Sequence, residues 1–208
     1  MSDTKTCQLQ PPVSLRQLAV PAVLIEAGGM ARAPRDLAPG TQHIGVSATG
    51  GEAYFLDDRD RESWLELFLA TVERYSWRPI AVCLLSTHWH ALLDLPDGSL
   101  AAGMQRRVSG YTRRFNERHL RTGYLVRSRY WSRRKDTPEA LLQAFRYVAR
   151  NPVGAGLVDT PGDWRWSSYG TTIGTSDLFQ FVDASEILAE FGSNPMAQIR
   201  GLLRFVEA

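Results

Sequence analysis

Residues Ile80-Ala81-Val82-Cys83-Leu84-Leu85 form an unbroken apolar run behind Pro79. A run without polar alternation offers no face to water, so it reads as a buried strand. A short turn near Ser86-Thr87 leads to a second strand over residues 91–95, which Pro96-Asp97-Gly98 ends. Upstream, residues 41–47 follow the Pro39-Gly40 turn as a strand, and Thr49-Gly50-Gly51 breaks it. Residues 57–61 open a helix with acids in its first turn, and Trp64, Leu65, Phe68, Leu69 and Val72 repeat at helical spacing. Residues 100–121 read as a long basic helix, and 123–134 as irregular or a hairpin. Thr137 and Pro138 start a further helix as N-cap and first helical residue, running through Leu141, Leu142, Phe145 and Val148 to Asn151. Pro152 is expected to prevent much continuation. Residues 183–191 and 197–206 are expected to form short helices. This order predicts an α+β fold: a split β-α-β (ferredoxin/RRM-like) antiparallel sheet with packed helices. Residues 1–29 read as an irregular extension, 30–170 as the main domain, and 171–208 as a C-terminal helical tail.

Hydrophobic residues make up 44% of the 208 and charged residues 22%, ordinary for one globular core and unlike a disordered or fibrous chain. No apolar run approaches the roughly 20 residues of a membrane helix, so no membrane partner is expected. The Pro-punctuated N-terminus makes a poor signal peptide. Cys7 and Cys83 stand far apart, which predicts neither a disulfide framework nor a thiolate metal site. A cytoplasmic, nucleoid-associated location is the expectation. The net charge of +2 hides a strong asymmetry: residues 105–135 hold eleven Arg/Lys and one acid, Glu117. Interleaved aromatics make that block the expected footprint of a polyanion.

Two constellations carry chemistry. His88-Trp89-His90 holds half of the four histidines, at the edge of an apolar strand. Residues i and i+2 of a strand share a face, so both imidazoles can reach one divalent cation. Structural histidines bonded to the backbone would give the same pattern. Tyr147 and Asn151 lie four apart, on one face of their helix. An Asn carbonyl could complete a His/His/Asn site, and a cation beside Tyr147 would activate a hydroxyl whose ordinary pKa is near 10. From spacing alone, a core tyrosine and a helix-capping asparagine are the favoured reading. His43 reads as structural rather than as a third ligand, and Trp164 and Trp166 as core anchors.

Taken together, His88-Trp89-His90, the stretch from Arg146-Tyr147 through Asn151-Pro152-Val153-Gly154 to Val158, and Trp166-Ser167-Ser168-Tyr169 resemble the REP-associated tyrosine transposases. These are single-tyrosine HUH (His-hydrophobe-His) nucleases related to the small insertion-sequence transposases. The match starts at Met30, includes residues 55–60 and Phe115-Asn116, and runs to about Gly170. The resemblance implies cleavage and rejoining of single-stranded DNA beside a hairpin, through a 5′-phosphotyrosine link and a free 3′-OH. It implies Tyr147 as nucleophile, His88 and His90 as ligands of Mg²⁺ or Mn²⁺, and Asn151 assisting the metal. Relatives usually carry Met-Pro-Asn-His where this chain has Leu85-Ser86-Thr87-His88, often an Arg where it has Gly154, and commonly Arg-Gly where it has Thr49-Gly50.

Arg106, Arg107, Arg113, Arg114, Arg127, Arg129, Arg133 and Arg134, with Tyr130, are the expected DNA contacts, arginines on phosphate and aromatics on bases. Tyr111 and Tyr130 are rival nucleophiles that read as base-stacking aromatics, with burial in the core as the alternative for either. The leading expectation is a metal-dependent single-strand endonuclease and transposase acting as monomer or homodimer. The alternatives are a non-cleaving binder of structured single-stranded DNA or RNA, and a zinc or manganese hydrolase using activated water at the same histidines.

Overall fold

The computed structural model describes residues 38–126 and 128–208. The extension at 1–29, the start of the family resemblance at Met30, and Arg127 lie outside them. The strands are β1 (Gly40–Ser47), β2 (Arg78–Leu84), β3 (His88–Leu95) and β4 (Trp131–Arg134). The helices are α1 (Asp58–Tyr75), α2 (Leu100–Arg118), α3 (Pro138–Gly154), the short α4 (Tyr169–Thr172), α5 (Ser185–Ala189) and α6 (Pro195–Glu207). The sheet order β2-β3-β1-β4, with every pair antiparallel, is the predicted split β-α-β arrangement. The 123–134 segment is not a hairpin: only its last residues form a strand, and that strand crosses to pair with β1.

Alternation sorts the side chains into two layers. One face carries Ile44, Val46, Trp89, Ala91 and Leu93, which pack with Trp64 and Phe68 of α1 and with Met104, Tyr111 and Phe115 of α2. The other face carries Leu92 and Cys83, covered by Leu141, Phe145 and Val148 of α3 and by Ile187, Leu202 and Val206 of α5 and α6. No helix of the described residues is long and apolar enough to cross a membrane. Residues 166–168 run along the outer edge of β2: Leu84 N–H donates to Trp166 O at 2.9 Å, Ser168 N–H to Val82 O at 2.8 Å, and Val82 N–H to Ser168 Oγ at 2.9 Å. That covers one sheet edge. The other, β4, is four residues long and ends in two arginines, which discourages further pairing.

The second strand starts three residues earlier than expected, so both candidate histidines lie inside it. The turn before it is closed by Leu85 N–H donating to His88 O and held from outside by Ala48 N–H donating to Thr87 O and Tyr54 N–H to Ser86 O. Three such bonds hold the backbone extended from His88 onward.

Helix α3 starts as predicted, with Thr137 accepting from Ala140 N–H and Pro138 in the first turn. It passes through Pro152 and ends two residues later at Gly154, so little helix follows the proline, as expected. A proline removes one donor but does not by itself end a helix held by flanking contacts. The chain turns off the helix at Gly156, with φ 66°. Leu157 N–H donates to Pro152 O and Gly156 N–H to Val153 O, the paired bonds of a Schellman motif. At its far side α3 is tied to α6: Arg146 donates to Ala208 O at 2.7 Å, and Arg150 donates to Val206 O at 2.8 Å and Ala208 O at 2.9 Å.

The two glycines at this helix end differ in backbone. Gly156→Ala is expected to cost about 1–2 kcal/mol, the penalty of a Cβ in the left-handed region. Gly154→Ala, where a Cβ meets no atom within 4 Å, is expected to be neutral or to stabilise by up to about 1 kcal/mol. Urea denaturation of the two variants checks the opposite signs.

Candidate active site

The site sits where β3, β1 and α3 meet. His88 and His90 face the α3 side of the sheet, their ring centroids 5.1 Å apart, while Trp89 between them is fully buried on the other side. Opposite them on β1 stand Ser47 and Gly45. Helix α3 brings Asn151 to His88: His88 Nε2–H donates to Asn151 Oδ1 at 3.1 Å. On its other side, Thr87 Oγ1 lies 2.9 Å from His88 Nδ1 and donates to it. The hydroxyl can rotate to accept instead, so His88 can switch tautomer and free Nε2 for a cation. One turn before Asn151, Tyr147 is 46% exposed, its ring centroid 5.3 Å from that of His90.

A third histidine joins them. His43 on β1 lies 5.3 Å from His90, 5.5 Å from Tyr147 and 4.7 Å from Trp131, ring to ring. Sequence reading missed this convergence, because it depends on the register that pairs His43 with Leu92. Burial pushes the His43 imidazole down to about 3, with Lys135 and Arg133 adding to the effect. His90 is driven well below its ordinary value by burial and then by His88 and His43. Burial also lowers His88, while the Asn151 hydrogen bond partly offsets it. All three are therefore neutral near pH 7, the state in which imidazole can ligate a metal.

The donor set suits a divalent cation. His90 Nδ1 and His43 Nε2 are buried without a hydrogen-bond partner, and buried polar atoms left so are uncommon in a finished site. The 3.1 Å between His88 Nε2 and Asn151 Oδ1 is close to the ~3.0 Å separating adjacent donors that each bind at ~2.1 Å and at right angles. Among the described residues no three of His, Cys, Asp and Glu gather in metal-holding geometry. An ion here would thus rest on two imidazoles, the Asn151 amide and ligands from outside, with His43 beside the set.

The basic block divides. Arg107 is not on the surface: it is 1% exposed, its guanidinium 3.8 Å from the Trp64 ring centroid and 4.3 Å from that of Trp89. It shares a helical stripe with Leu100, Met104, Tyr111 and Phe115, which carries it into the core; its expected DNA contact is corrected. Burial lowers its pKa to about 10. Tyr111 is buried too, its hydroxyl donating to Tyr54 O at 2.8 Å, so it presents no ring to a base. Arg106, Arg113 and Arg114 are exposed on α2, on the sheet face away from the histidines. Arg114 pairs with Glu66 of α1 at 2.9 Å, and Arg113 lies 4.0 Å from Glu117. Tyr130 is half-buried against the first core, and Arg129 is exposed. On β4, Arg134 points to the α2 side and engages Asp136, whereas Arg133 shares the face of His43. Trp164 and Trp166 are anchors as expected, their indole N–H groups donating to Leu84 O and Asp58 Oδ1.

A solved structure of a REP-associated tyrosine transposase bound to a REP hairpin has the same fold, with a TM-score of 0.62 at 16% identity, over 72% of this chain and 96% of that chain. The likeness extends to sequence. A Haemophilus influenzae protein named as a REP-associated tyrosine transposase is 27% identical over 143 residues, covering 63% of this chain and 76% of that protein. No family model matches the chain. The chain therefore resembles the REP-associated tyrosine transposases both in sequence and in fold.

The depressed His43 value has a thermodynamic consequence. The unfolded chain takes up a proton below pH ~6.5 while folded His43 stays neutral down to about 3. Stability of the metal-free protein is therefore complete above pH 6.5 and falls across that window, by up to about 1.4 kcal/mol per pH unit from this one group. His43→Gln is expected to flatten the slope by that amount, read from urea midpoints between pH 7 and pH 5.

Proposed function

We propose that this protein is a metal-dependent, single-strand DNA endonuclease and transposase of the REP-associated type, acting at hairpin-bearing DNA with Tyr147 as nucleophile. The observation that carries this reading is the convergence of Tyr147 and Asn151, from one face of α3, on the His88/His90 pair of β3. The two transposase relatives, one of them solved with a REP hairpin, support the substrate class.

His88, His90 and Asn151 would hold the divalent ion, Mg²⁺ or Mn²⁺. When bound, it supplies Lewis-acid polarisation of the scissile phosphate. Tyr147, exposed at the rim, has room to reach a phosphate laid over the histidines. Its hydroxyl oxygen attacks phosphorus, the bond to the 3′-oxygen breaks, and the phenolic proton ends on that 3′-oxygen. The products are a 5′-phosphotyrosine and a free 3′-OH. Attack by another 3′-OH reverses the step and rejoins the strand, because the covalent link keeps the phosphodiester energy. Thr87 is a positioning residue that fixes the His88 ring.

Fluorescent hairpin oligonucleotides from sequence flanking the gene, incubated with protein and Mn²⁺ and run on denaturing gels, test this. A protein–DNA adduct is expected, abolished by Tyr147→Phe and by EDTA. Thr87→Val is expected to raise the Mn²⁺ concentration needed by about 10–100-fold. Cleavage that survives Tyr147→Phe would move the chemistry to activated water. Tight binding with no adduct under any metal would leave the non-cleaving binder.

A further inference from the structure

Trp131 has an unusual place. The β4 register sets it opposite Gly45, and a Cβ on Gly45 would lie 2.5 Å from indole atoms. The ring is thus laid down over the β1 backbone, in a space that exists only because residue 45 has no side chain. His43 meets it edge-on at 4.7 Å, and His90 lies 5.7 Å away. Although flanked in this way, Trp131 remains 39% exposed. A tryptophan left open beside a candidate catalytic group, with its position bought by a glycine, calls for a ligand with a flat π face.

The next residue on the same face is Arg133, exposed and without an acidic partner among the described residues, in contrast to Arg134 and Arg114. Two residues along a strand span about 6.7 Å, comparable to one nucleotide of an extended strand. A flat π acceptor and an unpaired guanidinium at that spacing match a base and its adjoining phosphate. A duplex keeps its bases stacked on each other and offers no free π face, so the match is to an unpaired nucleotide.

We propose that Trp131 is the stacking platform for an unpaired base next to the scissile phosphate, with Arg133 on the neighbouring phosphate. This rests on the reading of the site as one for single-stranded DNA. It adds to that reading the residue that positions the strand.

Binding of the full chain to hairpin oligonucleotides with single-stranded flanks, by fluorescence anisotropy in EDTA, tests the platform without any cleavage. Trp131→Ala and Trp131→Leu, the second keeping bulk without a flat π face, are expected to weaken binding about 5- to 150-fold, and Trp131→Phe to retain most of it. An abasic nucleotide scanned along the flank is expected to cause the same loss at one position in the unaltered protein, and no further loss there in Trp131→Ala. Unchanged affinity of a folded Trp131→Leu overturns the platform, as do abasic losses that multiply with Trp131→Ala at every position. The covalent-adduct gel separates the two proposals. Stacking-dependent binding without an adduct removes the Tyr147 chemistry and leaves the platform. An adduct formed by a protein indifferent to Trp131 substitution does the reverse. No binding to any single-stranded flank overturns both.

Discussion

The alternation of β3 is the constraint on which the rest depends. Its His88-Trp89-His90 stretch must send the imidazoles to one side of the sheet and the indole to the other. Trp89 meets Trp64 of α1 at 5.0 Å and the Arg107 guanidinium of α2, so it is part of the larger core. A slip of one residue in the pairing with β1 would bury both histidines under α1 and α2 and expose the tryptophan. The packing of the indole therefore holds the site geometry, and the two cannot be altered independently.

Much of this was legible in the residues. Apolar runs and turn residues fixed the order of strands and helices, and the split β-α-β sheet follows from that order. The His-x-His pair and the Tyr147/Asn151 spacing were visible as patterns, since each depends only on local periodicity. What could not be read was long-range register. His43 pairs with Leu92, 49 residues on, and Trp131 with Gly45, 86 residues back, and nothing in their neighbourhoods encodes that meeting. Arg107 is different. Its helical stripe with Met104 and Tyr111 was available in the sequence, and the density of arginines around it obscured the signal.

The concentration of positive charge in residues 105–135 also has a more divided meaning than its sum suggests. On α2 and after it the arginines meet the acids of the α1 region: Arg114 with Glu66, Arg118 with Asp57 and Asp60, Arg121 with Glu52. Where both partners are exposed such pairs contribute little each to stability, yet together with the contact of Arg118 to the buried Asp60 carboxylate they offset the charge of these arginines. Among the described residues, Lys135 and Arg133 are the cations that act on His43, so the local field there is set by a few residues rather than by the whole block.

The ties of α3 bear on how the tyrosine can move. The helix is closed by the bonds around Gly156, buried along its inner side by Leu141, Phe145 and Val148, and bound through Arg146 and Arg150 to the end of α6. Sliding or swinging the helix would break those contacts together. The travel of the Tyr147 hydroxyl is then limited to rotation about its own two side-chain torsions, an arc of several ångströms about a fixed Cα. A helix mounted in this way works as a pivot rather than as a lever.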